Sequence, residues 1–270
     1  MLFIKDIKMG KYDLLDYDVH VSQSYCFDLG NYTKSSEYST TKQLFINNYL
    51  NSNGESRIPK IIHQIWLGSP IPEKFAKLAE SWKKFHPDWE YKLWTDADIP
   101  NLHLQHEDKF YLTHNYGQKS DILRHELLFK FGGLYVDTDF ECLKPFDDLM
   151  YLTFFTSSGY SPIMELYPGL MAGVPENIIS KEYIDHLDKM DCRTWKGMFN
   201  TTGPYYFTRC FFNVVKADME GYVAFPPKFF YPWPNNDMNC KDPYKYVKSY
   251  SYGIHHWAVS WTKGRQLGKR

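Results

Sequence analysis

An alternation of strand and helix patterns in the middle of the chain constrains the fold more than any other feature. Residues 58–66 are rich in β-branched side chains and predict a strand, and residues 90–94 predict a second strand. Between them, the segment after Pro72 places its apolar residues on one face of a helix, namely Phe75, Leu78, Ala79, Trp82 and Phe85. Strands and helices in this order are typical of an α/β fold, a mostly parallel, Rossmann-like central sheet flanked by helices.

The stretch 120–145 continues this alternation and carries the strongest candidate site. Apolar residues recur at helical spacing behind Ser120, a candidate N-cap, at Ile122, Leu123, Leu127 and Phe131. A pair of glycines ends this predicted helix. A short apolar strand is predicted at 134–136, and Asp137 and Asp139 follow directly at its end. Two carboxylates at a strand end suit a Mg²⁺ or Mn²⁺ ion that also carries substrate phosphates.

The Asp-x-Asp spacing is weak evidence by itself, because residues 16–18 and 96–98 have the same form. About one such triplet is expected by chance in a chain of this length. What distinguishes Asp137 and Asp139 is the apolar strand before them, where an acidic pair needs a cation or hydrogen-bond donors. A solvated turn between two strands is the alternative interpretation.

Three other residues are candidates for the same edge of the sheet. Ligands bind outside the carboxyl ends of parallel strands, which is where Trp66 would emerge. Trp66 is either a platform for a planar ligand or a core residue. Asp121 and Arg124, three residues apart on one helix face, are either a surface ion pair or part of the metal site.

Composition excludes some functions and favours others. The net charge of −1 argues against a broadly basic nucleic-acid-binding protein. The aromatic share of 18% favours a surface that stacks on sugar rings, although aromatic residues also fill cores. Five scattered cysteines fit free thiols in a reducing compartment. No uncharged apolar run reaches bilayer length, so the chain as given is predicted to be cytoplasmic, without a membrane span.

The sequence divides near residue 55. Residues 1–55 are predicted to be a partly irregular extension, with 31–41 as loop and a short helix at 41–50, and 56–270 to be the main domain. Past the candidate site, the patterns predict strands at 152–156 and 169–173, helices after Asn177 and from Pro204, and a proline-rich loop at 225–243. On pattern alone, the sequence Thr202-Gly203-Pro204 is a helix start, His63 is structural, and the pair His255-His256 is one buried and one exposed histidine.

Five motifs in order resemble glycosyltransferase family 32, the DXD-motif sugar transferases that include the yeast initiating α-1,6-mannosyltransferase. They are the strand 58–66, Ser120-Asp121-Ile-Leu-Arg124, the run from Gly132 to Asp139, Thr202-Gly203-Pro204, and His255-His256-Trp257-Ala-Val-Ser260-Trp261. The resemblance covers about residues 57–262. It implies a GT-A fold, a nucleotide-sugar donor, a divalent cation (Mn²⁺ or Mg²⁺) and retention at the anomeric carbon.

The resemblance also implies roles for individual residues. Asp139 would ligate the metal, Asp137 would hold ribose or sugar hydroxyls near it, and His255, the first of the two histidines, would be the third ligand. Asp121 and Arg124 would bind the transferred sugar, with Arg124 also near the diphosphate. The remaining expected contacts are Trp66 with the nucleoside base, and Ser260 and Trp261 with the diphosphate.

The chemistry of sugar transfer agrees with such a site. Cleavage of a bond between a sugar and a diphosphate builds negative charge on the leaving phosphate, so the site needs a cation and donors there. A covalent route would need a nucleophilic carboxylate, and none is identified, which favours attack on the same face guided by the leaving phosphate. A UDP-sugar (UDP-glucose, UDP-galactose or UDP-N-acetylglucosamine) is the first expected donor and GDP-mannose the second, with a glycan, lipid or protein acceptor.

Two other function classes remain. Asp139, Glu141 and Lys144 have the residue types of a metal-dependent nuclease, although the neutral charge weighs against a basic cleft. The aromatic residues also fit a carbohydrate-binding module without catalytic activity, which would bind glycans without a metal.

Overall fold

The computed structural model describes residues 17–22, 32–50, 54–187 and 197–258. Within these ranges the strands are β1 (Ile61–Ile65), β2 (Glu90–Trp94), β3 (Gly133–Val136), β4 (Phe140–Cys142), β5 (Phe154–Ser158), β6 (Leu166–Gly173), β7 (Tyr222–Phe225) and β8 (Gly253–His255). The α-helices there are α1 (Tyr17–Ser22), α2 (Ser36–Leu44), α3 (Glu73–Phe85), α4 (Glu107–Leu112), α5 (Tyr116–Phe131), α6 (Ile178–Asp185), α7 (Met198–Thr201) and α8 (Pro204–Val214).

The central sheet has the strand order β2-β1-β3-β6-β5-β7. Strand β1 is parallel to β2 and β3, and β5 is parallel to β7. Strand β6 runs antiparallel to both of its neighbours, so the other five strands point in one direction. The predicted mostly parallel sheet flanked by helices is therefore confirmed. Strands β4 and β8 form a separate antiparallel pair beside it.

Helix α5 starts earlier than its sequence pattern predicted. Asn115 is the N-cap, and its side chain accepts a hydrogen bond from the backbone N–H of Gln118, so the expected cap at Ser120 is wrong and Ser120 lies inside the helix. Asn is a strong N-cap residue, and the residues that follow it extend the helix by one turn. Its C-terminal end is as expected, because Gly132 is the C-cap with φ 63°.

The turn from α5 into β3 requires glycine. Gly133 has φ 97°, a left-handed conformation that is strained for any residue with a Cβ. A Cβ atom at Gly133 would also lie 2.6 Å from the carbonyl oxygen of Ile61 in β1. This close backbone approach sets β3 beside β1 and so fixes where the residues after β3 emerge.

The N-terminal segment is more ordered than its composition predicted. Residues 32–34 form a 3₁₀ turn and α2 follows, so the predicted loop at 31–41 is wrong. The cause is burial, since the side chains of Tyr38, Leu44 and Phe45 enter the main core. The Phe45 ring packs on that of Phe225 in β7, with centroids 5.8 Å apart. The domain boundary near residue 55 stays a prediction.

The proline-rich segment after β7 forms short 3₁₀ turns before it leads into β8. They are Pro227–Phe229, Asn235–Asp237 and Pro243–Tyr246. Across the ranges that the structure describes, no helix has the length and apolar character needed to cross a bilayer.

Candidate active site

Asp137 follows β3 and is held by backbone contacts to both neighbouring strands. Its N–H donates to the carbonyl of Gly169 in β6 at 2.8 Å, and Gln64 Nε2 in β1 donates to its carbonyl at 3.2 Å. In the parallel register of β1 and β3, His63 lies opposite Tyr135. Asp137 is therefore fixed at the carboxyl edge of the sheet, as predicted.

The carboxylate of Asp137 lies among buried polar groups. Its Oδ1 accepts a hydrogen bond from the Tyr135 hydroxyl at 2.7 Å and lies 3.5 Å from the NH2 atom of Arg124. Burial raises the pKa of Asp137, and the charge of Asp139 adds to this, whereas the Arg124 guanidinium opposes it. The pair of carboxylates thus creates a local excess of negative charge that favours binding of a cation.

Asp139 lies just before β4, and the pairing of β4 with β8 brings His255 to it. Phe140 is opposite His255 in this pair, and His255 Nε2 lies 3.0 Å from Asp139 Oδ1. The backbone N–H of Ala258 donates to Asp139 Oδ2 at 2.8 Å. Burial alone would raise the pKa of Asp139, but the contacts with His255 and the N–H of Ala258 outweigh burial and lower it.

A strained turn at Trp257 positions the backbone N–H of Ala258 that donates to Asp139. Trp257 has φ 47°, which is uncommon for a residue other than glycine and is often found at functional sites. Its indole N–H donates to the carbonyl of Trp233 at 2.9 Å, and its ring lies 4.3 Å from that of His255. These contacts hold the turn that aims the N–H of Ala258 at Asp139.

Asp137, Asp139 and His255 together fit a divalent metal ion. Each offers one ligand atom, and the three atoms lie within 4.8 Å of one another. The two carboxylates suit Mn²⁺ or Mg²⁺, and the imidazole favours the transition metal Mn²⁺ over Mg²⁺. The second histidine of the pair points elsewhere, since His256 Nε2 lies 3.1 Å from Glu141 Oε2.

Asp121 and Arg124 form a buried ion pair next to this cluster, so the alternative of a surface pair is wrong. Arg124 NH2 lies 3.1 Å from Asp121 Oδ1, and their side chains are 7% and 10% exposed. Arg124 also donates to the carbonyls of Pro168 at 2.9 Å and Ser120 at 3.2 Å. It lies over the ring of Tyr135, 4.7 Å from the centroid. The guanidinium is therefore rigidly placed beside Asp137.

Asp121 is also held by Thr202, which the sequence indicated as a helix start and as part of a family motif, without a contact to Asp121. Thr202 Oγ1 donates to Asp121 Oδ2 at 3.0 Å. Burial raises the pKa of Asp121 to about 7, although Arg124 and Thr202 both act to lower it. This carboxyl therefore takes up a proton more readily than an exposed aspartate.

Trp66 lies just past the end of β1, at the same edge of the sheet as Asp137. Its side chain is half-buried, its indole N–H donates to Ser69 Oγ at 3.1 Å, and its ring packs on that of Phe75 at 4.9 Å. Its contact with a nucleoside base stays a prediction. Ser260 and Trp261 lie outside the described residues.

Other candidates have structural partners. Both ring nitrogens of His63 are engaged, Nδ1 with the Trp94 indole N–H at 3.0 Å and Nε2 with the carbonyl of Gly132 at 2.8 Å. Glu141 accepts from His256, and the Lys144 ammonium lies 3.8 Å from the centroid of the Tyr252 ring. The acidic and basic groups of a nuclease site are thus committed to other contacts.

Three further residues touch the site, namely Gln64, Tyr135 and Thr202, which lie within the family motifs but had no predicted role there. A signal for Tyr135 was present, because residues two apart on a strand share a face and Tyr135 precedes Asp137 by two. Gln64 and Thr202 contact site residues that are far from them in the sequence. No local sequence pattern predicts such contacts.

Comparison with known proteins finds a family match for the part of the chain that contains Asp121, Arg124, Asp137 and Asp139. Residues 72–155 match the family described as the glycosyltransferase sugar-binding region containing the DXD motif. An inositol phosphoceramide mannosyltransferase of Schizosaccharomyces pombe is 28% identical over 190 residues, 67% of this chain and 59% of that protein. A second mannosyltransferase of this name from the same yeast is 37% identical over 113 residues, 39% of this chain and 31% of that protein.

A viral relative matches over more of its length. An uncharacterised glycosyltransferase of Acanthamoeba polyphaga mimivirus is 26% identical over 208 residues, which is 72% of this chain and 80% of that protein. Against the two yeast relatives, by contrast, the chain spans less than two thirds of their length.

A solved structure supports the fold. The PaToxG glycosyltransferase superposes with a TM-score of 0.52 at 24% identity and covers 58% of this chain and 70% of its own. The fold, the order of the motifs and the family match agree with one another. Residues 72–155 of the chain therefore carry the sugar-binding region of the DXD-motif glycosyltransferases, and the chain has a GT-A fold.

Proposed function

We propose that the protein is a metal-dependent retaining glycosyltransferase that takes its sugar from a nucleotide-sugar donor. One observation carries this proposal: Asp137, Asp139 and His255 lie within reach of a single cation at the carboxyl edge of the sheet, beside the buried Asp121–Arg124 pair. Sugar transfer from a diphosphate needs this combination, a cation for the leaving phosphate and fixed polar groups for the sugar.

Each residue has a distinct task in this proposal. Asp139 and His255 would hold the divalent ion, which when bound would stabilise negative charge on the leaving diphosphate. Arg124 is fixed by two backbone carbonyls and adds a permanent positive charge next to Asp137. Asp121, oriented by Arg124 and Thr202, presents a carboxyl that accepts hydrogen bonds from sugar hydroxyls.

We propose retention by attack on the same face rather than through a covalent intermediate. The three carboxyl groups described at the site are already engaged: Asp121 with Arg124, Asp137 with Tyr135, and Asp139 with His255. A free nucleophilic carboxylate is therefore not evident among the described residues there. A sugar adduct trapped on a protein carboxylate and found by mass spectrometry would contradict this route.

The names of the relatives favour a mannosyl donor. Both yeast relatives are named as mannosyltransferases, so GDP-mannose moves ahead of the UDP-sugars that the sequence alone had favoured. The half-buried ring of Trp66 can stack on guanine or on uracil, so it does not discriminate between GDP-mannose and a UDP-sugar.

The same names suggest an acceptor. The yeast relatives are named for transfer to inositol phosphoceramide, so a lipid with an inositol phosphate headgroup is the first acceptor to test. Glycans and protein side chains are the next candidates.

The decisive experiment is a donor screen with the purified protein. GDP-mannose, UDP-glucose, UDP-galactose and UDP-N-acetylglucosamine are each incubated with Mn²⁺ or with EDTA, and slow transfer to water is followed by release of GDP or UDP. We expect release from one donor, with Mn²⁺ only, and its loss in Asp139→Asn. The anomeric configuration of the released sugar, read early by NMR, tests retention.

Two outcomes would contradict the proposal. Release that is unchanged in EDTA would exclude a metal-dependent reaction. Glycan binding without metal that survives Asp139→Ala, in the absence of any turnover, would support a carbohydrate-binding module instead.

A further inference from the structure

Glu165 is a buried carboxylate for which the described residues provide no cation. It lies in the loop between β5 and β6 and is 7% exposed. Buried carboxylates are normally paired with a cation or with several donors. Glu165 has one side-chain donor, the hydroxyl of Ser161, and burial raises the pKa of Glu165 more than this hydrogen bond lowers it. Most of its hydrogen-bonding capacity is therefore unused.

One carboxylate oxygen of Glu165 is open to solvent. The Ser161 hydroxyl donates a single proton, so the second oxygen has no partner among the described residues. In that part of the chain, the fully buried side-chain atoms without a hydrogen bond are His125 Nε2 and the Tyr231 hydroxyl. Because the second oxygen of Glu165 is not one of them, the hydroxyl group of a ligand can reach it.

Glu165 lies beyond the edge of the sheet that carries the metal-binding cluster of Asp137, Asp139 and His255. Strand β6 runs antiparallel to β3, and the carbonyl of Gly169 accepts from the N–H of Asp137. The residues of β6 before Gly169 therefore continue past the end of β3. At about 3.3 Å per residue, Glu165 is about 13 Å from Gly169. It is thus too far away to bind the metal and lies on the solvent side of the cluster.

The start of α8 lies beside Glu165. The N–H of Leu166 donates to Thr208 Oγ1 at 2.8 Å, which fixes this end of β6 against α8. Tyr205 precedes Thr208 by three residues, so it lies on the same face of the helix. The charge of Glu165 is the main cause that raises the pKa of Tyr205, as expected for a phenol close to a carboxylate. Glu165 and Tyr205 can therefore contact one ligand.

These two residues adjoin the pair proposed to bind the transferred sugar. Thr202 is three residues before Tyr205, and its hydroxyl donates to Asp121 at 3.0 Å. Asp121 in turn forms the buried ion pair with Arg124. A molecule bound at Glu165 and Tyr205 would therefore meet a sugar held by Asp121 and Arg124.

Partly exposed aromatic rings flank Glu165. Tyr167 follows it by two residues, and the rings of Tyr167 and Tyr205 are both half-buried. Phe199 is 47% exposed, and its ring lies 6.1 Å from that of Tyr205. The Tyr167 ring lies 6.0 Å from that of Trp257, beside the metal-binding cluster. Aromatic faces next to a carboxylate suit a sugar-like ring, whose C–H groups pack on them while its hydroxyls bond to the carboxylate.

The charge of this surface selects a neutral ligand. A carboxylate without a cation beside it repels a phosphate group but accepts hydrogen bonds from hydroxyls. Hydrogen bonds to a charged group are also the stronger ones. Neighbouring hydroxyls on a six-membered ring can bond to Glu165 and to Tyr205 together.

We propose that Glu165 and Tyr205 form the acceptor subsite and bind hydroxyl groups of a neutral polyol ring, either a sugar or a cyclitol such as inositol. This proposal rests on the proposed function, since it names the class of acceptor for the same site. A glycan and the inositol of a lipid headgroup offer the same chemistry here, and the test separates them.

The test measures how the protein divides its donor between transfer and hydrolysis. The nucleotide sugar that releases its nucleotide in the donor screen is incubated with Mn²⁺ and with either methyl α-mannoside or myo-inositol, below saturation. Mass spectrometry counts the transferred sugar, and the free sugar is measured alongside it. Transfer to methyl α-mannoside assigns the ring to a glycan, and transfer to myo-inositol assigns it to an inositol headgroup.

We expect Glu165→Gln to lower the ratio of transferred to hydrolysed sugar about tenfold, the effect of losing one hydrogen bond to a charged group. Tyr205→Phe should lower the same ratio about threefold, because it removes a neutral hydrogen bond. Both reactions come from the folded molecules, so the ratio does not depend on how much of a variant is folded. A residue with a structural role alone would leave the ratio unchanged.

The matched control is Glu126→Gln. Glu126 is 6% exposed, like Glu165, but its carboxylate accepts from the backbone N–H groups of Gln105 at 2.9 Å and His106 at 3.2 Å. This variant should melt at a lower temperature than the wild type, because it weakens those contacts, and should keep the wild-type ratio.

The proposal is overturned if Glu165→Gln keeps the wild-type ratio, whether or not both reactions slow down together. It is also overturned if the wild type hydrolyses the donor but transfers to neither ring, an outcome that leaves the proposed function standing. A wild type that releases no nucleotide from any donor with Mn²⁺ contradicts the proposed function itself, and the acceptor subsite with it.

Discussion

His255 Nε2 lies 3.0 Å from Asp139 Oδ1, although the two residues belong to segments far apart in the sequence. The pairing of β4 with β8 produces this contact, because it sets Phe140 opposite His255. The long segment after β7 must therefore return to the sheet before the metal-binding cluster is complete. Formation of the site is coupled to folding of the C-terminal part of the domain.

This geometry predicts the effect of removing one metal ligand. Asp139→Asn keeps an oxygen that accepts from the N–H of Ala258 but removes the negative charge. Loss of groups that merely support metal ligands costs about 10- to 100-fold in affinity, so loss of a ligand charge should cost at least about tenfold. Calorimetric titration of the protein with Mn²⁺ measures this.

The matched control for that variant is Glu141→Gln. Glu141 lies two residues further on, but its carboxylate contacts His256 and the Tyr244 hydroxyl instead of the cluster. Its substitution should leave Mn²⁺ affinity unchanged. If Glu141→Gln loses Mn²⁺ and Asp139→Asn does not, the ligands have been assigned wrongly.

Arg124→Lys should destabilise the protein even though the charge is kept. The guanidinium contacts Asp121 and two backbone carbonyls from different nitrogen atoms, which a single ammonium group cannot reproduce. A carbonyl left unpaired in this buried site costs about 1–3 kcal/mol, so we expect the free energy of unfolding to fall by about 2–3 kcal/mol. Urea denaturation measures the change.

An exposed ion pair provides the comparison. Lys181 and Asp185 lie 2.6 Å apart on α6, but their side chains are 58% and 45% exposed. Lys181→Ala should therefore change the free energy of unfolding by no more than about 0.5 kcal/mol. Equal losses in both variants would show that the burial of Arg124 does not matter to stability.

Gly133→Ala adds only one methyl group, but it should strongly lower the free energy of unfolding. It would place a side chain at φ 97° with its Cβ 2.6 Å from the Ile61 carbonyl, so β3 would have to move away from β1. We expect a loss of about 3 kcal/mol in the free energy of unfolding. Thermal unfolding with circular dichroism detects it, and lower Mn²⁺ affinity should accompany it because β3 carries Asp137.

Gly197→Ala is the control, because Gly197 has φ −104° and a Cβ there would meet Thr201 Cγ2 at 3.4 Å, an ordinary contact. It should cost less than about 1 kcal/mol. A Gly133→Ala protein as stable as Gly197→Ala would mean that the turn between α5 and β3 tolerates a side chain.

Local patterns predicted the elements that carry the two aspartates. The apolar run before Asp137 and the glycines before it predicted β3 and placed Asp137 at its carboxyl end, because these signals act over a few residues. The N-terminal segment shows where such reasoning fails. Residues 31–41 are mostly polar, yet Tyr32 and Tyr38 bury their rings in the core, and burial overrides local propensity.

The rest of the site depends on topology. The contacts of Thr202 with Asp121, and of the Tyr231 ring with His255, join segments that no periodicity connects. The position of His255 follows from the return of the chain to β4, which pairs with β8. The family resemblance predicted His255 as a metal ligand, whereas the packing of the Tyr231 ring on it is found only in the structure.

The buried ring of His63 predicts a pH dependence of stability. Its Nδ1 accepts from Trp94 and its Nε2–H donates to Gly132, so the folded state holds the neutral ring. Burial lowers the pKa of His63 from 6.5 to about 4. Between these values the unfolded chain binds a proton that the folded chain excludes, so the free energy of unfolding falls as the pH falls, by up to about 1.4 kcal/mol per pH unit.

Urea denaturation at pH 7, 6 and 5 of wild type and His63→Gln measures this contribution. Above pH 6.5 the two proteins should differ by a constant amount, and below it the wild type should lose stability faster, because the variant has no ring to protonate in the unfolded state. His114→Gln, at an exposed position, should follow the wild type at each pH. A difference between wild type and His63→Gln that stays constant from pH 7 to 5 would show that the folded state accommodates the charged ring.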